Sequence, residues 1–193
     1  MKNMAIKLAI VWCIFLSSGL FFTVSTCNLP RTGSSVQDAA RKAGRTILKT
    51  IYEEQVKDGE IIFFLKNSLD YNKATLAAGY IKKTMSEWEW VCGGEHGTIS
   101  SACRENGFSA QFFSRYAGTP FPLYFGAVTN PEIEKIRVTE LKRNIVSEAK
   151  ISGGSDLRVW YVFMGNLDGP HFNIKAYSKE GKELSFLNDD ISA

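Results

Sequence analysis

The sequence predicts a mainly β chain, α+β overall: an antiparallel β-sandwich or open barrel behind one N-terminal amphipathic helix. Three observations lead there. From Lys57 onward, apolar or alternating runs follow one another with turn residues between them, about ten short strands in all. The one stretch with a helical period, 36–56, precedes all of them and is too isolated for repeating βαβ units. No internal repeat is visible, so the 193 residues divide into a leader at 1–26, a tether at 27–35, the helix and a β-rich domain at 57–193.

The leader comes first. MKNMAIK carries Lys2 and Lys7 and no acid, and Leu8 to Phe22 is apolar apart from two serines and a glycine. A basic start, an apolar run and a small-residue exit make a secretory signal peptide. Counting Thr23 and Val24, the run reaches about 17 residues, the short end of what spans a bilayer, so a retained membrane helix is the alternative. VSTC, Val24 to Cys27, resembles a bacterial lipobox, with Thr26 where Gly, Ala or Ser is usual. That resemblance implies a diacylglyceryl group on Cys27 and cleavage just before it, anchoring the chain by lipid to the outer face of the cell membrane. Ordinary signal cleavage would instead release a secreted protein. Loss of 26 residues leaves 167, ample for one domain with a hydrophobic core. Formal charge falls from +3 to +1, which gives no electrostatic reason to expect nucleic acid.

The tether CNLPRTGSS is rich in structure-breaking residues. In the following segment Ser35 can cap a helix, with Asp38 three residues on. Val36, Ala40, Ala43, Ile47 and Ile51 fall on one helical face, and Arg41, Lys42, Arg45 and Lys49 on the other. That basic face is either solvated or rests on anionic lipid beside the anchor.

Among the strands, EIIFFL (60–65) has no helical period and suits a strand buried on both faces. TLAAGYIKK and EWEWVC form a hairpin across Thr84–Ser86, with Trp88 and Trp90 on the core side. SAQFFSRY, PLYFGAV, IEKIRVTE and NIVSEAKI follow. Gly153 to Asp156 turns the chain into LRVWYVFM, the most apolar strand, and HFNIKAYS with ELSFL makes a last hairpin. Asn188–Asp190 reads as a frayed tail.

GTPFPLYFGAVTNPEIEKIRV, RVWYVFM and DGPHFNIKAYSKEGKEL together resemble a group of small exported proteins of Gram-positive bacteria, many of them lipoproteins. The resemblance implies surface localisation and a β-rich fold, and carries over no catalytic residues. From about Ile133 the chain is also similar to immunoglobulin-like sandwich modules, an architecture shared by many functions.

The residues that could carry chemistry are few. Cys13 leaves with the signal, so Cys92 and Cys103, at the ends of CGGEHGTISSAC, read as a disulfide in an oxidising compartment. Closing that loop contributes roughly 3 kcal/mol in the chain-entropy picture. Two free thiols, or a metal held by Cys92, His96 and Cys103, are the alternatives; that spacing matches no strong zinc pattern, and Glu95 is a poor fourth ligand. No metal, cofactor or catalytic residue is expected. There is no G-x-S-x-G elbow, and the only histidines are His96 and His171, each able to act only beside Asp156, Asp168 or a nearby serine. Glu87 and Glu89 share one strand face, where a polar surface is the plainer reading of them than a glycosidase pair. Tyr116, Phe121 and Tyr124 flank a proline-stiffened loop and form a possible binding loop, the alternative being that they pin the loop to the core. The functional expectation is an exported, lipid-anchored envelope protein acting as a non-enzymatic binding or interaction module. The rivals are an envelope hydrolase using His96 or His171, and an immunity or inhibitor protein for a secreted enzyme.

Overall fold

In a computed structural model, residues 31–155, 157–165 and 169–191 are described, apart from the side chain of His96. The signal segment, Cys27, Asp156 and Asp168 lie outside the described residues. Arg31–Ala193 form one compact unit.

The unit is mainly β, with three antiparallel sheets. The elements are β1 (Thr32–Gly33), α1 (Val36–Lys42), β2 (Lys49–Val56), β3 (Gly59–Lys66), β4 (Thr75–Lys83), β5 (Trp88–Thr98), α2 (Ile99–Ala102), β6 (Gln111–Phe113), β7 (Leu123–Val128), β8 (Lys135–Glu140), β9 (Ile145–Glu148), β10 (Lys150–Gly153), β11 (Arg158–Phe163), β12 (His171–Tyr177) and β13 (Glu183–Asp190). Sheet A runs β1-β5-β4-β3-β2, sheet B β10-β11-β7-β6 and sheet C β13-β12-β8-β9.

Side-chain alternation sorts these sheets into layers. On β3, Ile62 and Phe64 point with Ala77, Ile81 and Trp90 toward Val36 and Ala40 of α1. Ile61, Phe63 and Leu65 point the other way, onto Leu123, Phe125, Val159 and Tyr161 of sheet B. The opposite face of sheet B sends Tyr124, Trp160 and Val162 against Ile136, Val138, Phe172 and Ile174 of sheet C. The order is therefore helix, sheet A, sheet B, sheet C. Sheets A and B are covered on both faces where β3, β4 and β7 cross them, which is why those strands carry apolar residues without alternation. Sheet C has one wet face, so β8 and β12 alternate.

The helix is shorter than its period suggested. Ser35 Oγ accepts the Asp38 N–H at 3.1 Å, and Asp38 holds Arg41 at 2.6 Å and Lys42 at 3.1 Å. The helix then ends, because Gly44 takes φ +74°, a left-handed stop that costs glycine little. Arg45 N–H bonds back to Ala40 O, and Lys49–Val56 continues as an edge strand on β3 rather than as helix. NIVSEAKI is likewise divided: β9 pairs with β8 in sheet C, and β10 with β11 in sheet B. Asn188–Asp190 is not a frayed tail but the end of β13, paired with His171–Asn173.

Candidate functional site

The three aromatics of the expected binding loop do not share a face. Phe121 is buried, stacked on Phe113 at 5.0 Å and edge-on to Tyr80 at 6.5 Å. Tyr124 is fully buried between sheets B and C, 5.3 Å from the Phe172 ring, with its hydroxyl donating to Asp189 Oδ2 at 2.6 Å. Only Tyr116 is exposed. Thr119 N–H and Oγ1 both donate to Tyr116 O, and Gly118 at φ +75° makes that turn possible. Phe121 and Tyr124 thus pin the loop, and its tip is left to Gly118, Thr119 and Pro120.

No bond joins Cys92 and Cys103, the expected disulfide pair, in the structure. Cys103 is buried against sheet B, 3.8 Å from Ala127 O. Cys92 stands mid-strand on β5 beside Tyr80. Burial pushes the Cys92 thiol up to about 11 and raises that of Cys103 as well, so neither is an activated nucleophile. His171 Nδ1 lies 3.4 Å from Asp190 Oδ2, but both side chains are more than half exposed. No serine or cysteine hydrogen-bonds to His171 among the described residues. Nor do those residues contain a cluster of three or more His, Cys, Asp or Glu placed to hold a metal. Trp90 is buried under α1, and Trp88 is half-buried nearer the strand end.

A large concavity lies at the end of sheet A where its turns gather. The β2–β3 turn is tight because Gly59 packs directly on the Ile81 carbonyl, a position with no room for a Cβ. Lys83 N–H donates to Asp58 O, tying that turn to β4. Across the β4–β5 turn, Thr84 N–H and Oγ1 both donate to Glu87 O, and Thr84 Oγ1 accepts from Glu87 N–H. This bracing holds Met85 at the apex, fully exposed. The groove measures about 710 Å³, with Lys57, Asp58, Lys82, Lys83, Met85 and Trp88 among its walls. A hollow of about 300 Å³ shares Val56, Lys57 and Asp58 with it, floored by Tyr80 and closed by Gly118, Thr119 and Pro120.

Charge in the groove is unbalanced. Among the described residues Lys57, Lys82 and Lys83 form no ion pair, and only Asp58 opposes them on the walls. Lys83 Nζ sits 5.3 Å over the Trp88 ring, a cation–π contact on the groove's rim. The Tyr80 phenol is held above its usual range, chiefly by burial and then by Asp58. Such a lining suits a partner that is anionic and partly apolar. A smaller cleft of about 80 Å³ lies on the outer face of sheet A, between Arg45, Phe64 and Trp90; an adjoining hollow of about 230 Å³ carries Arg31 and Arg45.

Sequence reading had the KKTMSEWEW hairpin but not this groove. The signal was a methionine at a turn apex beside two lysines, where a turn residue is usually small and polar. No protein-family model matches the chain, and neither a curated protein nor a solved structure matches it.

Proposed function

We propose that this chain is an exported, lipid-anchored cell-envelope protein whose β domain is a non-enzymatic interaction module, engaging an anionic partner at the groove between the β2–β3 and β4–β5 turns. The supporting observation is that groove: three lysines that form no ion pair among the described residues, beside an exposed methionine and a half-buried tryptophan. Neither described cysteine is activated, and His171 has no nucleophile hydrogen-bonded to it among the described residues; the His96 side chain, Asp156 and Asp168 lie outside them. No cofactor enters this reading, and the anchor is Cys27, with the signal removed ahead of it.

Two measurements test it. The intact mass of the membrane-associated protein is expected to match a chain beginning at Cys27 with a diacylglyceryl group added. A lipid-free or uncleaved mass removes the anchor from the proposal. Titration with fluorescent poly-L-glutamate is expected to give saturable binding that Lys57→Gln/Lys82→Gln/Lys83→Gln abolishes. Binding unchanged by that triple substitution removes the groove.

A further inference from the structure

We infer that the anionic partner of the groove is the phospholipid surface itself, so that the β4–β5 tip docks on the membrane that carries the anchor. The inference rests on the groove reading above and goes beyond it in naming the partner.

Three observations lead to it. The first is composition. Lys57, Lys82, Lys83 and Met85 are all exposed at one end of sheet A, with Trp88 half-buried beside them. Lysines around a tryptophan and a protruding apolar side chain match the headgroup region, where ammonium groups meet phosphates and the indole and thioether reach the acyl boundary. The second is rigidity. The Thr84–Glu87 hydrogen bonds and the Lys83–Asp58 backbone bond fix Met85 at the apex in the free protein. Insertion therefore spends little on ordering the turn.

The third is where the chain enters. Arg31 O accepts the Trp90 N–H, and Thr32 and Gly33 pair with Glu89 and Trp88, the strand that forms one wall of the groove. By strand geometry Arg31 is within about 10 Å of Trp88. Four residues, Cys27 to Pro30, span at most about 14 Å when extended. An acyl group on Cys27 thus holds Trp88 within about 24 Å of the bilayer.

Each cation held within a Debye length of an anionic surface strengthens adsorption about fivefold, so the three groove lysines together contribute roughly a hundredfold. The test uses residues 27–193 with Cys27→Ser, so that no acyl chain contributes; the described residues of all three cores lie within this span. The probes are sedimented vesicles of phosphatidylcholine alone, and of equal parts phosphatidylcholine and phosphatidylglycerol. Binding is expected only to the anionic vesicles. It is expected to fall about a hundredfold in Lys57→Gln/Lys82→Gln/Lys83→Gln and to weaken further with Met85→Ser. Lys142→Gln/Lys179→Gln/Lys182→Gln, an equal charge change at exposed loops of sheet C, should leave it intact. Equal loss in that control, equal binding to both vesicle types, or no vesicle binding would each overturn the inference. Poly-L-glutamate binding that survives alongside absent vesicle binding would leave the groove reading standing and sink only the membrane assignment. Circular dichroism melts of every variant show whether each is folded.

Discussion

Tyr124→Phe should be the most informative single substitution between sheets B and C. The Tyr124 side chain is fully buried, and its hydroxyl reaches from β7 to Asp189 on β13 at 2.6 Å. Phenylalanine keeps the ring and its contacts with Phe112, Trp160 and Phe172, so almost no packing is lost. What disappears is one hydrogen bond to a carboxylate, about 1.5–3 kcal/mol. In a domain of this size that lowers the melting temperature by roughly 3–12 °C. Chemical denaturation should move the midpoint down with an unchanged slope. The cycle completed by Asp189→Asn should return a coupling of at least about 1 kcal/mol. A change within about 0.5 kcal/mol for Tyr124→Phe would mean that the hydroxyl is satisfied equally well without Asp189, and the hydrogen bond would not be what joins these layers.

Alkaline pH gives a second prediction, with the sign fixed by burial. Burial, and then the Asp189 and Asp190 carboxylates, raises the Tyr124 phenol, and burial lifts the Cys92 thiol from its usual 9 to about 11. The folded state keeps these protons where the unfolded chain releases them. Their contribution is therefore complete below about pH 9 and is lost as pH rises through 9–11 and beyond, read as a falling denaturation midpoint. Tyr124→Phe should flatten the decline above about pH 10. Gly79→Ala should cost about 1–3 kcal/mol, because the added methyl meets the Trp90 ring lying across Gly79 and Gly93; wild-type stability would show that the ring moves freely. Without reductant, the unfolded domain, residues 27–193 with Cys27→Ser, should take up two thiol labels by mass, at Cys92 and Cys103, while the folded protein labels slowly at both. No labelling after unfolding would show that the two sulfurs are joined.

Much of the fold was legible in the chain because burial writes itself into the period of a strand. EIIFFL and LYFGAV have no polar alternation and lie where two layers press on them, whereas HFNIKAY alternates and has one wet face. The errors have local causes. The 36–56 segment keeps an apolar spacing that suits a helix, yet Gly44 ends the helix and Ile51, Tyr52 and Val56 pack as an edge strand. NIVSEAKI looks like one strand, and only the tertiary structure reveals that the chain changes sheet at Ala149. The polar Asn188–Asp190 reads as a tail because sequence does not show β12 beside it. The groove escaped for a different reason. It is assembled from residues 55–59, 82–85 and 88, two turns remote in sequence that only the fold brings together.

The position of sheet B has a consequence for how the chain reaches this state. Its inner strands, LYFGAV and RVWYVF, carry a single charge between them, Arg158, and bury side chains on both faces. Before sheets A and C close over them they are short, β-prone, sticky segments of the kind that seed cross-β aggregation. Sheet A is contributed mainly by residues ahead of them and sheet C largely by residues behind or between them, so neither strand is shielded on both sides until the C-terminal hairpin has arrived. A chain truncated before β12 would keep β8 and β9 but lose Phe172, Ile174 and Ala176, and so present part of one face of this sheet to its neighbours. It should precipitate rather than persist as a smaller soluble domain.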